Sequence, residues 1–212
     1  MIPGKIKLEI ALVGVRELRP HEKVIPGRVA AILDSLVKSG VLRRPLIVDG
    51  KTFTVIDGHH RLEALRVLGV EKAPAILVDY EGDNSIIVDR WVRVYEIRGG
   101  DREEVLQGFK SIFGPSISIL NYDPPIVEIR EEMKGEAYRA LEALELASNI
   151  VVKFRAEKPR KAPNSLIILP PKISKAEVVE AALNGKPFPP KTTRHVTMLK
   201  NVELKVRLSK LQ

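Results

Sequence analysis

The chain has 212 residues, no cysteine and a formal net charge of +8, and 44% of its residues are hydrophobic. That length and composition allow one large domain, or a domain with a smaller companion, and supply a core. They exclude disulfides, thiolate nucleophiles and cysteine-based zinc sites; with no apolar run as long as a membrane span and no visible signal peptide, a cytoplasmic protein is expected.

In chain order, Lys5 to Val15 sets Ile6, Leu8, Ile10 and Leu12 at alternate positions, which predicts an opening strand. Leu18-Arg19-Pro20-His21-Glu22 reads as a loop with a charged tip. Gly27 to Ser39 reads as a helix: Val29, Ile32, Leu33, Leu36 and Val37 form one apolar stripe, and Gly40 ends it. Leu46–Val48 and Lys51–Ile56 are predicted strands, joined as a hairpin through Asp49-Gly50. Asp57-Gly58-His59-His60-Arg61 follows, and then Leu62, Leu65 and Leu68 at helical spacing with Gly69 as the stop. Ala75–Asp79 is the next strand. Ile86 to Ile97 is a longer one, with Ile86, Val88, Val92 and Val94 on a face expected to be buried. Its other face carries Ile87, Asp89, Trp91, Arg93 and Tyr95. Trp91, the only tryptophan, fits either a sheet covered by a loop or the wall of a substrate pocket.

Gly99-Gly100 marks an expected boundary, giving domains at 1–98 and 99–212. Beyond it the pattern predicts a helix at Arg102–Phe113, strands at Ser116–Leu120 and Ile126–Ile129, a helix at Glu131–Ala147 and a strand at Ile150–Phe154. Lys158–Pro163 reads as an exposed basic loop and Leu166–Leu169 as a buried strand. Ser174 with Glu177 forms a capping box opening a helix that ends at Asn184-Gly185, and Val202–Leu208 alternates as a last strand. Mixed strands and helices place the chain in the α/β (α+β) class.

Two segments concentrate chemistry. In Asp57-Gly58-His59-His60-Arg61 a strand turns into a helix, whose N-terminal amides attract anions. Gly58 lets a ligand approach the backbone, Arg61 can fork onto phosphate oxygens, and Asp57 suits a hydroxyl proton or Mg²⁺. The plain alternative is a helix capped by Asp57 with two surface histidines. The second segment, Pro187 to His195, ends in Lys191-Thr192-Thr193-Arg194-His195, dense with donors for an anion; the alternative is a solvated basic loop. Charge is uneven as well. Residues 1–150 hold 21 Lys and Arg against 23 Asp and Glu, whereas 151–212 hold 14 against 4. A basic stretch of that kind serves nucleic acid, an anionic substrate or a solvated face. Neither a Walker A sequence nor a kinase glycine-rich loop is present. Residue chemistry alone therefore reaches a phosphate-binding α/β protein.

Ile56-Asp57-Gly58-His59-His60-Arg61, with Gly69 beyond the helix, resembles the phosphate-binding turn of the ParB/sulfiredoxin-like fold. Sulfiredoxins place a catalytic cysteine in that turn, so the absence of cysteine rules out their activity. ParB partition proteins follow it with a helix-turn-helix region, and no such pattern follows Tyr80. Three motifs in order, Pro20-His21-Glu22, Val55 to Arg61 and Pro190 to Val196, are similar to those of archaeal free L-serine kinases. The resemblance covers nearly the whole chain, with residues 98–170 matching loosely. It implies a ParB/sulfiredoxin-like domain binding nucleotide phosphates and a second small α/β domain whose loop 187–196 returns to the active site. It also implies phosphoryl transfer from ATP or ADP to free L-serine, with Mg²⁺, to give O-phospho-L-serine for cysteine synthesis. Glu22 takes the role of general base in this resemblance, and Asp57 lies at the reaction centre near the metal. Gly58, His59, His60, Arg61, Lys191 and Thr192 are implied for the phosphates, and Trp91, Thr193, Arg194 and His195 for serine or the transferred phosphate. No motif reads the number of phosphates on the donor. A ParB-like nucleotide-dependent DNA-binding protein and a kinase of another small hydroxyl compound are the alternatives; no membrane and no nucleic acid is expected as a partner.

Overall fold

A computed structural model describes residues 10–97, 102–147, 150–159 and 162–212. In chain order its main elements are β1 (Ile10–Gly14), β2 (Arg19–Pro20), α1 (Pro26–Ser39), β3 (Val41–Leu42), β4 (Leu46–Asp49), β5 (Thr54–Asp57), α2 (His59–Val67) and β6 (Lys72–Val78). Then come β7 (Ile87–Asp89), β8 (Val92–Glu96), α3 (Arg102–Phe113), β9 (Ile117–Leu120), β10 (Ile126–Ile129), α4 (Lys134–Ala147), β11 (Val151–Arg155) and β12 (Ser165–Leu169). The last are α5 (Lys175–Leu183), β13 (Arg194–Val196) and β14 (Val206–Arg207).

The chain divides into two compact units. The first holds the chain up to Ile87, Lys175–Pro190 and His195–Gln212; the second holds Val88–Ser174 and Lys191–Arg194. This differs from a single cut near residue 98, and Gly99-Gly100 itself lies outside the described residues. The reason is pairing: β8 precedes that point but hydrogen-bonds to β11 and β12, whereas α5 packs on β5 and β2 and β14 pairs with β3.

The first unit is built on a five-stranded sheet in the order β1-β6-β4-β5-β2. β1 and β6 are antiparallel, β6 and β4 parallel, β4 and β5 an antiparallel hairpin, and β5 and β2 parallel. β5 begins later than the alternation suggests. The Asp49 carboxylate accepts from both the amide and the hydroxyl of Thr52, and Phe53 takes φ 56°, so pairing resumes only at Thr54. α1 starts on Pro26, whose missing N–H costs nothing at a helix start, and stops at Gly40 with φ 63°. Leu36, Leu46, Val48, Val55, Leu62 and Leu65 form its core. Each such side chain contributes about 1.5–3 kcal/mol by leaving water. On β1 the buried residue is Val13, while Ile10 and Leu12 are exposed. The tail alternates over Val202–Leu208 but pairs only at Val206–Arg207; what fixes it is Leu211, fully buried in the same core.

The second unit has a five-stranded sheet in the order β11-β8-β12-β10-β9. α3 and α4 cover one face, with Phe109, Phe113, Ala137 and Leu141 packed on Tyr95, Val127, Leu166 and Ile168. The predicted strand at Ile86–Ile97 breaks into β7 and β8 around Arg90-Trp91. Its mixed face does not stay open either. Arg93 and Tyr95 are fully buried, because both reach the Glu145 carboxylate of α4, at 2.9 and 2.6 Å. The Arg93 guanidinium also lies 5.3 Å from the rings of Tyr138 and Phe154. An ion pair inside a core thus replaced the half-polar surface that alternation suggests.

Candidate active site

The Asp57–Arg61 turn is the meeting point of β5 and α2 in the first unit. Gly58 sits between them at φ 106°, a backbone setting that side chains rarely adopt. A Cβ there would lie 2.5 Å from Leu46 Cδ2 and 3.0 Å from the Arg61 guanidinium. α2 has no side-chain cap and no acid in its first turn. Asp57 does not cap it: its carboxylate contacts Arg61 Nη2 at 2.5 Å and Lys200 Nζ at 3.1 Å. Arg61 Nη1 donates to the Pro45 carbonyl at 2.9 Å, so the guanidinium holds the turn against the entry to β4. Beside Asp57 and Arg61 lies a cavity of ≈ 510 Å³ with an apolar wall from Ile32, Leu36 and Leu42 and a cationic rim from Arg43, Arg44 and Lys200. Among its lining residues Asp57 is the one acid, so the cavity carries net positive charge.

All four histidines of the chain belong to the first unit. His60 Nε2 accepts the Ile25 amide at 3.0 Å, which ties α2 to the residue preceding α1. His21 is fully buried, with Nδ1 2.7 Å from the Val55 carbonyl and 3.1 Å from His59 Nε2. The rings of His21 and His59 meet edge to face at 4.4 Å, and His195 lies 5.3 Å from His21 on a similar edge contact. His195 Nε2 is 2.7 Å from the Tyr80 hydroxyl. Burial lowers the His21 pKa to about 4 and holds His59 and His195 well below the ordinary imidazole value. Desolvation leads in each case; neighbouring imidazoles and cations add to it for His59 and His195. The cluster is therefore neutral at neutral pH.

These contacts bring the three sequence motifs together inside the first unit. His21 belongs to the first, His59 to the second and His195 to the third. The backbone reinforces this: Phe188 N donates to His21 O and Lys23 N to Phe188 O, both at 2.8 Å, so Glu22 lies bridged to Phe188. Glu22 is half-buried.

The second unit holds the remaining predicted residues as a separate group. Trp91 Nε1 donates to the Thr193 carbonyl at 2.9 Å, and Lys191 Nζ lies 4.4 Å from the Trp91 ring centroid. Thr192 and Thr193 are buried, and Lys191 takes φ 64°. Arg194 Nη2 pairs with Asp89 at 2.9 Å, with Lys172 on the other carboxylate oxygen at 3.5 Å. Arg194 Nε is buried with no hydrogen-bond partner among the described residues, an N–H left for an acceptor. Desolvation pushes the Asp89 carboxyl up, but the Arg194 hydrogen bond and nearby cations outweigh it and its pKa falls. The loop 187–196 is thus shared out: Lys191–Arg194 in this unit, Pro187–Pro190 and His195 in the other.

Sequence reasoning missed His21, Tyr80, Lys200 and Asp89 as parts of these groups. His21 and Tyr80 stood inside quoted motifs, yet only packing reveals their partners. Lys200 looked like one more cation of a basic tail, and Asp89 like one edge of a mixed strand face.

Residues 4–91 match the family model described as the ParB N-terminal domain. The ATP-dependent L-serine kinase of Staphylothermus marinus is 28% identical over 92% of this chain and 88% of its own length. The ADP-dependent L-serine kinase SerK of Thermococcus kodakarensis is 24% identical over 99% of this chain and 96% of its own. A solved free serine kinase in complex with AMP superposes with a TM-score of 0.71, at 21% identity, over 97% of this chain and 95% of that one. The fold is that of this kinase. The N-terminal part of the chain, residues 4–91, is thus similar to the ParB N-terminal domain.

Proposed function

We propose that the protein is a free L-serine kinase, transferring a phosphoryl group from ATP or ADP to the serine hydroxyl. The observation that carries this is the convergence of the three motifs on one histidine cluster beside the Gly58 turn. Full-length similarity to two L-serine kinases of archaea supports it, one using ATP and one ADP.

In this reading the turn and the neighbouring cationic cavity take the nucleotide. The uncapped start of α2, His59, His60 and Arg61 hold phosphate oxygens, and the apolar wall of Ile32, Leu36 and Leu42 suits a base; in the second unit Lys191 and Thr192 are donors of the kind that phosphate takes. Glu22 takes the proton from the serine hydroxyl as its oxygen bonds the phosphorus. The bond from phosphorus to the bridging oxygen breaks, and ADP or AMP leaves. Trp91 walls the serine pocket. The buried, unpaired N–H of Arg194 suits a carboxylate oxygen, and Thr193 and His195 serve the same substrate or the transferred phosphate. Asp57 offers hard carboxylate oxygens, the donor type that Mg²⁺ takes alongside substrate phosphates, and Arg61 and Lys200 already crowd this carboxylate with cations. Mg²⁺ bound there would neutralise phosphate charge.

The test is to incubate the protein with L-serine, Mg²⁺ and either ATP or ADP. O-phosphoserine should form together with ADP or AMP, and EDTA should stop it. No phosphoserine with either nucleotide would overturn the reading.

A further inference from the structure

We infer that His21 is a positioning residue that locks His59 as a neutral Nδ1–H donor facing the nucleotide's phosphates. The inference deepens the reading of the turn as the nucleotide site and rests on it.

Val55 O is a carbonyl and can only accept. At 2.7 Å, His21 Nδ1 must therefore carry the proton of that contact. The alternative tautomer would set two lone pairs against each other in a fully buried place. His59 Nε2 lies 3.1 Å from the same nitrogen. Because that nitrogen donates, His59 Nε2 must be the acceptor of a shared hydrogen bond. A proton on His59 Nε2 would bring N–H against N–H. An imidazolium at His59 is excluded on the same ground. One proton remains for the His59 ring, and it sits on Nδ1. The constraint passes from a backbone carbonyl of β5 through His21 to the first residue of α2.

The consequence is chemical. His59 opens α2, whose start carries no side-chain cap, and its Nδ1 has no protein partner among the described residues. A phosphate there meets a donor whose hydrogen is already in place. Without the lock the ring divides between two tautomers and rotates, and only part of the population presents N–H.

Two measurements test this. Long-range ¹H–¹⁵N spectra of the histidine rings report the tautomer of the unaltered protein. His59 should be neutral with its proton on Nδ1, and saturating ADP or ATP should shift that signal. A His59 proton on Nε2, or an imidazolium at neutral pH, would overturn the proposal. The second measurement is nucleotide affinity by calorimetry. His21→Leu removes the donor and should weaken binding about ten- to a hundredfold, the range for a lost hydrogen bond to a charged group. His21→Asn keeps an N–H for both Val55 O and His59 and should recover most of the affinity. Equal weakening in both variants, with their folds intact, would make His21 a packing residue only. If the unaltered protein bound no nucleotide while His59 showed the Nδ1 tautomer, the nucleotide reading would fail and the lock would stand.

Discussion

Backbone pairing with Phe188 helps to place Glu22. Backbone hydrogen bonds from Phe188 and Lys23 pin the segment, so Glu22→Gln should keep the fold and remove only the proposed base. Turnover should fall by about 10²–10⁴, and phosphoserine formation at unchanged unfolding temperature is the measurement; turnover equal to that of the unaltered protein would take Glu22 out of the mechanism. Gly58 has the opposite character. At φ 106°, with Leu46 Cδ2 2.5 Å from any Cβ, Gly58→Ala must strain the backbone and shift the core. Lost stability and lost nucleotide binding should appear together, and an unaltered unfolding temperature would show that the turn relaxes freely. The histidines set a pH dependence with a definite sign. His21 titrates at about 4 when folded against 6.5 as its ordinary value, so between those values the unfolded chain binds a proton that the folded chain refuses. Stability is full above that window and is lost as pH falls from 6.5 towards 4, and His59 and His195 act in the same sense. Denaturant unfolding at pH 7 and pH 5 checks it: a smaller unfolding free energy at pH 5, less reduced in His21→Asn, is expected. At this scale the sequence made His59, His60 and Glu22 legible because they stand in short motifs. It hid His21, whose role comes from a carbonyl 34 positions away.

Among elements, α1, α3 and β10 fell where periodicity put them, since one buried stripe or face sets both pattern and boundary. β8 did not. Alternation reads one face of a strand as polar whenever charged residues occupy it, but here α4 supplies Glu145 to Arg93 and Tyr95. Burial and the Glu145 carboxylate together push the Tyr95 phenol up, so it stays protonated and donates. Removing that acid would strand a buried guanidinium. Glu145→Ala should cost about 3–5 kcal/mol, the penalty for breaking a buried pair, and Glu145→Gln clearly less. Thermal unfolding of the two variants decides it, and equal stability of Glu145→Ala and the unaltered chain would mean that water reaches Arg93.

For the whole molecule, the basic stretch 151–212 raises the question of nucleic acid. A DNA binder would show duplex affinity that drops steeply with salt. The kinase reading expects phosphoserine formation without such affinity, and salt-sensitive duplex binding combined with no phosphoserine would reverse the order of the two. Among the described residues no helix is long and apolar enough to cross a membrane. The last residues belong to the first unit through Leu211, so deleting 198–212 should destabilise that unit and remove Lys200 from Asp57. The sequence by itself determined the mixture of strands and helices, the strand-to-helix turn at Gly58 and the residue types fit for phosphate, because each depends on spacing within a few positions. Only the tertiary structure decided that His21, His59 and His195 share one cluster, that Arg61 reaches the Pro45 carbonyl, and that α5 and the tail join the first unit. Those pairings cross long stretches of chain, and they are selected by burial and by complementary donors and acceptors, which no local pattern encodes.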